Sequence, residues 1–436
     1  MTYLKKLTEL IKFKISPHQD LFKSPSTKIK LADNIQLTDI EYDRVGKICD
    51  VFTAIANSAG NEIISPPIGG VFWEQAKAGM GPFDLYLRKN RKEIDLSMLL
   101  YNCFRDFCAL AYEFDHLTPS PDFWIRRWQR LARAVPKHWR AAMPARFGEL
   151  GWNIDGYPIN RWTSVNQERI SAMTIAGIPH YLEQQQNPQI MEIGGGSGEM
   201  GYTLCKALPN CTWYNADLLG CLIYSAIHLS VLLPQKRHSI YVGNLQLPTG
   251  LDESLIIRSP QEAALSENTI VYIPHFLLGD FTGHLKLHFA YNTYSFGEMP
   301  SNAVEHYVDL LADFLKDRGI LFDQNGYFPD RGGDNAEDII AKKFSIQAWP
   351  PELDGRRLPN GPTRVWYNNE KVRHINNLIS ASDISKTILS LNDGNDAVDI
   401  HYPNEILWPK VYEMLESSQR VNELYAWESN GIVASP

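Results

Sequence analysis

Residues 190–201 read Ile190-Met191-Glu192-Ile193-Gly194-Gly195-Gly196-Ser197-Gly198-Glu199-Met200-Gly201, a short apolar run that enters a glycine cluster and leaves it as a helical pattern. Such a segment predicts a buried strand, a tight turn and a helix. A strand-to-helix turn this abrupt needs dihedrals that side chains resist, and bare main chain lets a ligand touch the backbone. From Pro188 onward short apolar runs alternate with longer helical patterns, the signature of βα units around a parallel sheet. Strands are expected at about 190–193, 212–216, 240–243, 286–291 and 319–323, with an additional one at 269–273. Helices are expected at about 199–208, 220–232 and 301–317.

The next predicted strand, Thr212-Trp213-Tyr214-Asn215-Ala216, closes on Asp217, with Leu218 beside it. A carboxylate at this separation from a glycine turn can accept both hydrogen bonds of a ribose diol, so the pair points to a nucleoside ligand. Which nucleoside is the harder question, because Gly196-Ser197-Gly198-Glu199-Met200-Gly201 also fits the GxGxxG pattern of NAD enzymes. Glu192 helps to decide, since a site for a pyrophosphate gains nothing from an anion there.

An acidic residue two places before the first of three alternate glycines (Gly194, Gly196, Gly198) resembles the first motif of class I S-adenosylmethionine (SAM) methyltransferases. The resemblance implies a Rossmann-like doubly wound α/β sheet and SAM as cofactor. It implies that Glu192 serves the cationic amino group of the methionine moiety, with Gly194, Gly195, Gly196, Gly198, Asp217 and Leu218 around the rest of the cofactor. The stretch Ser239-Ile240-Tyr241-Val242-Gly243-Asn244-Leu245-Gln246-Leu247-Pro248 is similar to the same family's apolar strand, Gly-Asp pair and later Leu-Pro, with Asn244 replacing aspartate. Asn244 then meets the adenine amino group through its side-chain oxygen, or is a plain turn asparagine.

Further on, Leu287-His288-Phe289-Ala290-Tyr291-Asn292-Thr293-Tyr294-Ser295-Phe296-Gly297-Glu298-Met299 reads as a strand and a polar loop. Loops at the carboxyl ends of parallel strands form the ligand crevice, so Asn292, Ser295 and Glu298 are expected to face the acceptor. This run, the long helix after it and Gly319-Ile320-Leu321-Phe322-Asp323-Gln324-Asn325 make residues from about 150 to 330 look like the bacterial sugar O-methyltransferases. That resemblance implies a sugar or glycosylated small molecule as acceptor. A sugar hydroxyl needs a base. The candidates are Glu298 and His275, with Asp280 and His284 behind them; the plain alternatives are a core histidine and a helix-capping glutamate. No metal is expected, because the spacing of Asp280, Asn292 and Glu298 fits no ligand pattern.

At 436 residues the chain exceeds the roughly 250–300 at which one core stops growing. A mainly helical N-terminal domain (1–165) that covers the acceptor, a SAM-binding domain (166–345) and a C-terminal extension (346–436) are expected. In the first of these, Leu96, Leu99, Leu100, Cys103, Phe104, Phe107 and Leu110 recur at helical spacing. Seven cationic residues interleave with Trp128 and Trp139: Arg126, Arg127, Arg130, Arg133, Lys137, Arg140 and Arg146. They read either as a face for an anion such as a nucleotide-sugar diphosphate or as a solvated helix surface whose tryptophans are core.

The net charge of −8 argues against a nucleic-acid partner and favours a small molecule. No apolar run reaches the roughly 18 residues of a membrane span, and Glu9, Lys12 and Lys14 interrupt any leader-like stretch, so a cytoplasmic protein is expected. Six cysteines without a CxxC pair read as buried small hydrophobes. The oligomeric state is not legible. Two rival functions remain. One is an NAD oxidoreductase, for which Tyr367 and Lys371 match a YxxxK pair that lacks its upstream serine; the other is a non-catalytic SAM-binding scaffold. Between oxygen and nitrogen as the methylated atom the residues do not choose.

Overall fold

The computed structural model describes residues 37–59, 161–325, 336–347 and 363–367, with single residues and short stretches between 128 and 159. Helix α1 (Asp39–Ala59) opens on a reciprocal cap, in which Thr38 N–H donates to Glu41 Oε2 (2.8 Å) and Glu41 N–H to Thr38 Oγ1 (3.3 Å). A hairpin of β1 (Trp152–Ile154) and β2 (Tyr157–Ile159) leads into α2 (Arg161–Ile175) and α3 (Ile178–Glu183). There follow β3 (Gln189–Ile193), α4 (Glu199–Ala207), β4 (Thr212–Asp217), α5 (Leu219–Leu232), β5 (Arg237–Tyr241), β6 (Ile256–Ile257), α6 (Pro260–Ala264) and β7 (Thr269–Pro274). The chain continues through β8 (Phe289–Thr293), α7 (Ser295–Glu298), α8 (Ser301–Phe314), β9 (Ile320–Gln324), α9 (Ala336–Ala341), β10 (Ser345–Gln347) and β11 (Thr363–Tyr367).

Nine strands form one sheet in the order β10-β11-β9-β8-β3-β4-β7-β5-β6. The seven from β9 to β6 are parallel, and β11 runs antiparallel to both β9 and β10. This is a Rossmann-like doubly wound α/β sheet. Strand β3 lies in the middle: the chain first builds outward through β4, then returns to the other side of β3 as β8. Ligands of such sheets bind where the order reverses, beyond the carboxyl ends of the strands, which here is the gap between the turns leaving β3 and β8.

Alternate strand residues feed two cores. Ile190, Trp213, Tyr272 and Tyr291 point toward α4, α5 and α1, whereas Met191, Tyr214, Val271 and Ala290 point toward α6, α8 and α9. Helix α5, Leu219-Gly-Cys-Leu-Ile-Tyr-Ser-Ala-Ile-His-Leu-Ser-Val-Leu232, carries no carboxylate, lysine or arginine and is buried on nearly every side. A helix apolar all round must be covered on both faces. The sheet covers one, and α1 covers the other with Val45, Ile48, Val51, Phe52 and Ile55.

The sheet bears on three expectations. Strand β7, read as an additional run, is an inner strand paired with β4 on one side and β5 on the other. The sheet also continues past residue 345, so the boundary expected there cuts through it. Arg364 on β11 donates from Nε to Asp323 Oδ2 on β9 (2.7 Å) with both side chains buried, which ties the antiparallel edge to the parallel block. Helix α1 likewise shares the core of the sheet instead of belonging to a separate helical unit.

Trp128 and Trp139 are buried, donating to Ala141 O (2.6 Å) and Glu183 Oε1 (2.7 Å), and Arg146 pairs with Glu41 (2.7 Å). Arg126, Arg127, Arg130, Arg133, the 96–110 stripe and Lys371 lie outside the described residues. Cys49, Cys205, Cys211 and Cys221 are buried free thiols. Among the described residues no helix is long and apolar enough to cross a membrane. Leu222 sits at 0% exposure in α5. Its truncation leaves a cavity between sheet and α1, so Leu222→Ala is expected to cost about 2–5 kcal/mol in urea unfolding.

Candidate functional site

The turn after β3 has Gly194, Gly196 and Gly198 at φ of +75°, +52° and +81°, and its glycines are needed largely by the protein itself. A Cβ on Gly194 would strike Ser295, one on Gly195 would strike Asn215, and one on Gly198 would strike Leu229. The turn is held on every side. Gly194 N–H donates to Ala216 O (2.8 Å), and the His228 ring bonds Ser197 O through Nδ1 (2.9 Å). Asn215, against which Gly195 is seated, is itself fixed by donating to Ser225 Oγ (2.7 Å).

Asp217 ends β4 and is buried. It accepts from Gly196 N–H at Oδ2 (2.8 Å) and from Leu218 N–H at Oδ1 (2.7 Å). Each carboxylate oxygen can accept twice, so one acceptor position on each oxygen remains for a diol. Burial pushes its pKa up to about 6, against the pull of the two amides.

Glu192 lies on the same sheet face, one strand over. It is buried, and Tyr291 on β8 donates to its Oε2 (2.6 Å) while accepting from Trp213 Nε1 (3.0 Å). Burial pushes its pKa up to about 8; the Tyr291 hydroxyl and the Arg169 guanidinium offset this in part. Glu199, the first residue of α4, is the third carboxylate at the turn and accepts from Asn166 Nδ2 (2.9 Å).

Asn292 and Ser295, expected to face the acceptor, serve instead as braces. Asn292 Nδ2 donates to Ile193 O (2.9 Å) and to Ser295 Oγ, and its Oδ1 accepts from Phe296 N–H (3.1 Å). Ser295 Oγ donates to Ile193 O (3.2 Å). All the hydrogen-bonding directions of the Asn292 amide that reach the loop are used to join the end of β8 to the end of β3. Between the two, Tyr294 takes φ +70°, an unusual value for a residue with a side chain. Glu298 ends α7 half-buried, and both it and Asp217 act on the buried Cys221 thiol, whose pKa burial already raises. Glu298 is therefore on the crevice side.

The insertion of β7 relocates two expected residues. Asn244 follows β5, which is separated from β4 by β7, and it is exposed. The position adjoining Asp217 is Pro274, its register partner, followed by His275, which is buried against Phe276. His275 is thus placed beside Asp217. Three strand spacings, roughly 14 Å, separate β7 from β8, so His275 is withdrawn as a base for an acceptor at the β8 loop. Tyr367 pairs with Ile320 at the start of β9, the end of the sheet away from the crevice, which removes the YxxxK reading.

Sequence reasoning missed Tyr291, Glu199 and Arg169. Arg169 on α2 is buried, donating from Nε to Gln324 Oε1 (2.9 Å) and from Nη1 to Asn166 Oδ1 (2.8 Å). Its signal was present in Thr163-Ser164-Val165-Asn166-Gln167-Glu168-Arg169, a polar run that has no apolar stripe yet is buried throughout.

The raised pKa of Glu192 has a stability consequence. A carboxyl whose folded value (about 8) exceeds its ordinary value of 4.5 gives its full contribution below pH 4.5, and that contribution is lost as pH rises through 8. Glu192→Gln escapes this loss. The variant is expected to melt several degrees above the wild type at pH 9 and to lose that advantage near pH 4 in calorimetry.

No protein-family model matches the chain, and no curated protein does. Solved structures that resemble it include the pyocyanin biosynthetic protein PhzM, at 15% identity and TM-score 0.28, over 47% of this chain and 56% of that one. Another is phosphoethanolamine N-methyltransferase 2 of Haemonchus contortus in complex with S-adenosyl-L-methionine, at 10% identity and TM-score 0.28, over 56% of this chain and 48% of that one. A third is a Listeria monocytogenes protein described as a class I S-adenosylmethionine-dependent methyltransferase, at 9% identity and TM-score 0.29, over 83% of this chain and 98% of that one. The chain thus spans about half the length of the first two.

Proposed function

We propose that the chain is a SAM-dependent methyltransferase that methylates a hydroxyl of a sugar or glycosylated small molecule. One observation carries the choice of cofactor: three carboxylates, Glu192, Glu199 and Asp217, gather at a single glycine turn. A pyrophosphate brought to that turn would meet like charge at the start of α4, whereas a nucleoside bearing a sulfonium and an ammonium would meet opposite charge.

When bound, SAM supplies an electrophilic methyl group that an acceptor oxygen displaces in line from sulfur. Glu192 would hold the ammonium as a carboxylate, its proton passing to solvent, since a neighbouring cation favours the charged form. Asp217 accepts the ribose hydroxyls through its free acceptor positions. The braced β8 loop sets the height of Glu298, which takes the hydroxyl proton as the new C–O bond forms. The hydroxyl acceptor rests on the sugar-methyltransferase resemblance together with a carboxylate at the crevice loop, which an amine acceptor needs less.

Calorimetric titration with S-adenosylhomocysteine and with NAD tests the cofactor, and binding of NAD alone would refute it. Asp217→Ala removes an acceptor of two charge-assisted hydrogen bonds and is expected to weaken S-adenosylhomocysteine about 100-fold or more. Glu298→Gln is expected to lower turnover by about 10²–10⁴ with little change in cofactor affinity, assayed by S-adenosylhomocysteine release over a panel of glycosides and amines. Unchanged turnover in Glu298→Gln removes Glu298 as the base, and products formed only from amines remove the hydroxyl.

A further inference from the structure

Lys236 is a buried ammonium whose partners among the described residues include no carboxylate. Just before β5, it spends its N–H groups on neutral oxygens: Pro209 O (2.9 Å), Cys211 O (2.8 Å) and Asn268 Oδ1 (2.9 Å). Cys211, Lys236 and Asn268 immediately precede β4, β5 and β7, so the amino ends of three strands meet at one charge, at the opposite end of the sheet from the glycine turn. A buried charge normally has a partner of opposite sign. The one partner of Lys236 that can ionise to an anion is the Cys211 thiol, whose Sγ lies 3.9 Å from Nζ.

A second thiol stands against the first. Cys205, in the last turn of α4, has its Sγ 3.8 Å from that of Cys211, within hydrogen-bonding reach for sulfur. The chain between them folds back on itself: Leu208 N–H donates to Leu204 O (2.8 Å) and Cys211 N–H to Leu208 O (3.0 Å). The hydrogen bond with Cys205, opposed by burial and aided by the Lys236 ammonium, holds the Cys211 thiol below its ordinary range. Burial and the neighbouring sulfur push Cys205 the other way. The two thiols are thus unlike: one is prepared to attack, and the other keeps its proton.

We propose that Cys205 and Cys211 form a modification site, a dithiol that a hydroperoxide oxidises to a disulfide stapling the end of α4 to the start of β4. The Cys211 sulfur attacks one peroxide oxygen; the O–O bond breaks, hydroxide leaves and Cys211 becomes a sulfenic acid. The Cys205 sulfur then attacks the Cys211 sulfur, the S–S bond forms and the S–O bond breaks. The two thiol protons end in the two waters to which hydrogen peroxide is reduced. A disulfide spans about 2.05 Å, so the sulfurs must approach from 3.8 Å, and the turn at the exposed Pro209 and Asn210 is the segment that gives way and admits the oxidant. The same ammonium that favours a thiolate repels a metal cation from the space between the sulfurs. This site does not depend on the methyl-transfer reading.

The test treats the full chain, reduced and folded, with hydrogen peroxide, blocks the remaining thiols and maps disulfides by peptide mass spectrometry. A Cys205–Cys211 linkage that dithiothreitol removes is expected, with Cys221 recovered as a free thiol, since burial and the charges of Asp217 and Glu298 raise its pKa. Absence of that linkage in the folded wild type, or its formation only in urea, overturns the proposal. The order of attack is read with dimedone, which traps sulfenic acids. In Cys205→Ser, where the hydroxyl keeps a donor beside Cys211, Cys211 is expected to be trapped about tenfold faster than Cys221 or more, whereas in Cys211→Ser the remaining Cys205 is trapped no faster than Cys221. Trapping of Cys205 in Cys211→Ser but not of Cys211 in Cys205→Ser overturns the role given to Lys236 and Cys211.

Discussion

The peptide carbonyl of Ile193 and the amides just beyond it are the point on which this architecture turns. The Ile193 oxygen accepts from Asn292 and Ser295 of the β8 side, while Gly194 and Gly196 donate to Ala216 and Asp217 of the β4 side. Parallel strands diverge into separate connections at their carboxyl ends, and the gap at a switch point would ordinarily leave these groups to water. Here side chains from two strands close it. The turn is thereby held by the protein's own groups, with Gly194, Gly195 and Gly198 seated against Ser295, Asn215 and Leu229.

This braced turn concentrates carboxylates where water is scarce. Burying carboxylates without counter-ions is costly, and the protein limits the cost in different ways. Asp217 stays hydrogen-bonded to two amides, Glu199 sits at a helix start where the dipole favours it, and Glu192 is pushed by burial toward its protonated form while accepting from the Tyr291 hydroxyl. A group held neutral by burial responds most strongly to an incoming cation. Under the proposed reading, that energetic burden favours a positively charged partner.

What the sequence made legible was local. The apolar run, glycine turn and helix at 190–201 lie within one stretch of chain, and so does Asp217 at the end of its strand. Asn244 was assigned by counting strands along the chain, and the count fails because β7 returns to enter the sheet between β4 and β5. No periodicity encodes that non-local choice. Asn292 and Ser295 lie at the end of β8 and the start of α7, but a place near the carboxyl ends of the strands does not fix side-chain directions, and around the bend at Tyr294 both turn back into the scaffold. The C-terminal strand β11 was hidden because its place in the sheet is set by antiparallel pairing with β9 and by the Arg364–Asp323 pair, both distant in sequence.

The two helices flanking the switch point were written in opposite languages, and their contrast says how the site works. Helix α5 is apolar on nearly all sides, and its position is dictated by the sheet on one face and α1 on the other, so the turn resting on Ser225, His228 and Leu229 has a rigid floor. Helix α2 buries Asn166, Gln167, Glu168 and Arg169, side chains that gain nothing from apolar packing and must be satisfied one by one. A polar network of that kind is worth its desolvation only if its geometry is specific, because each member fixes the next. The floor therefore supplies stiffness, and α2 supplies a polar network that joins the start of α4 to the end of β9.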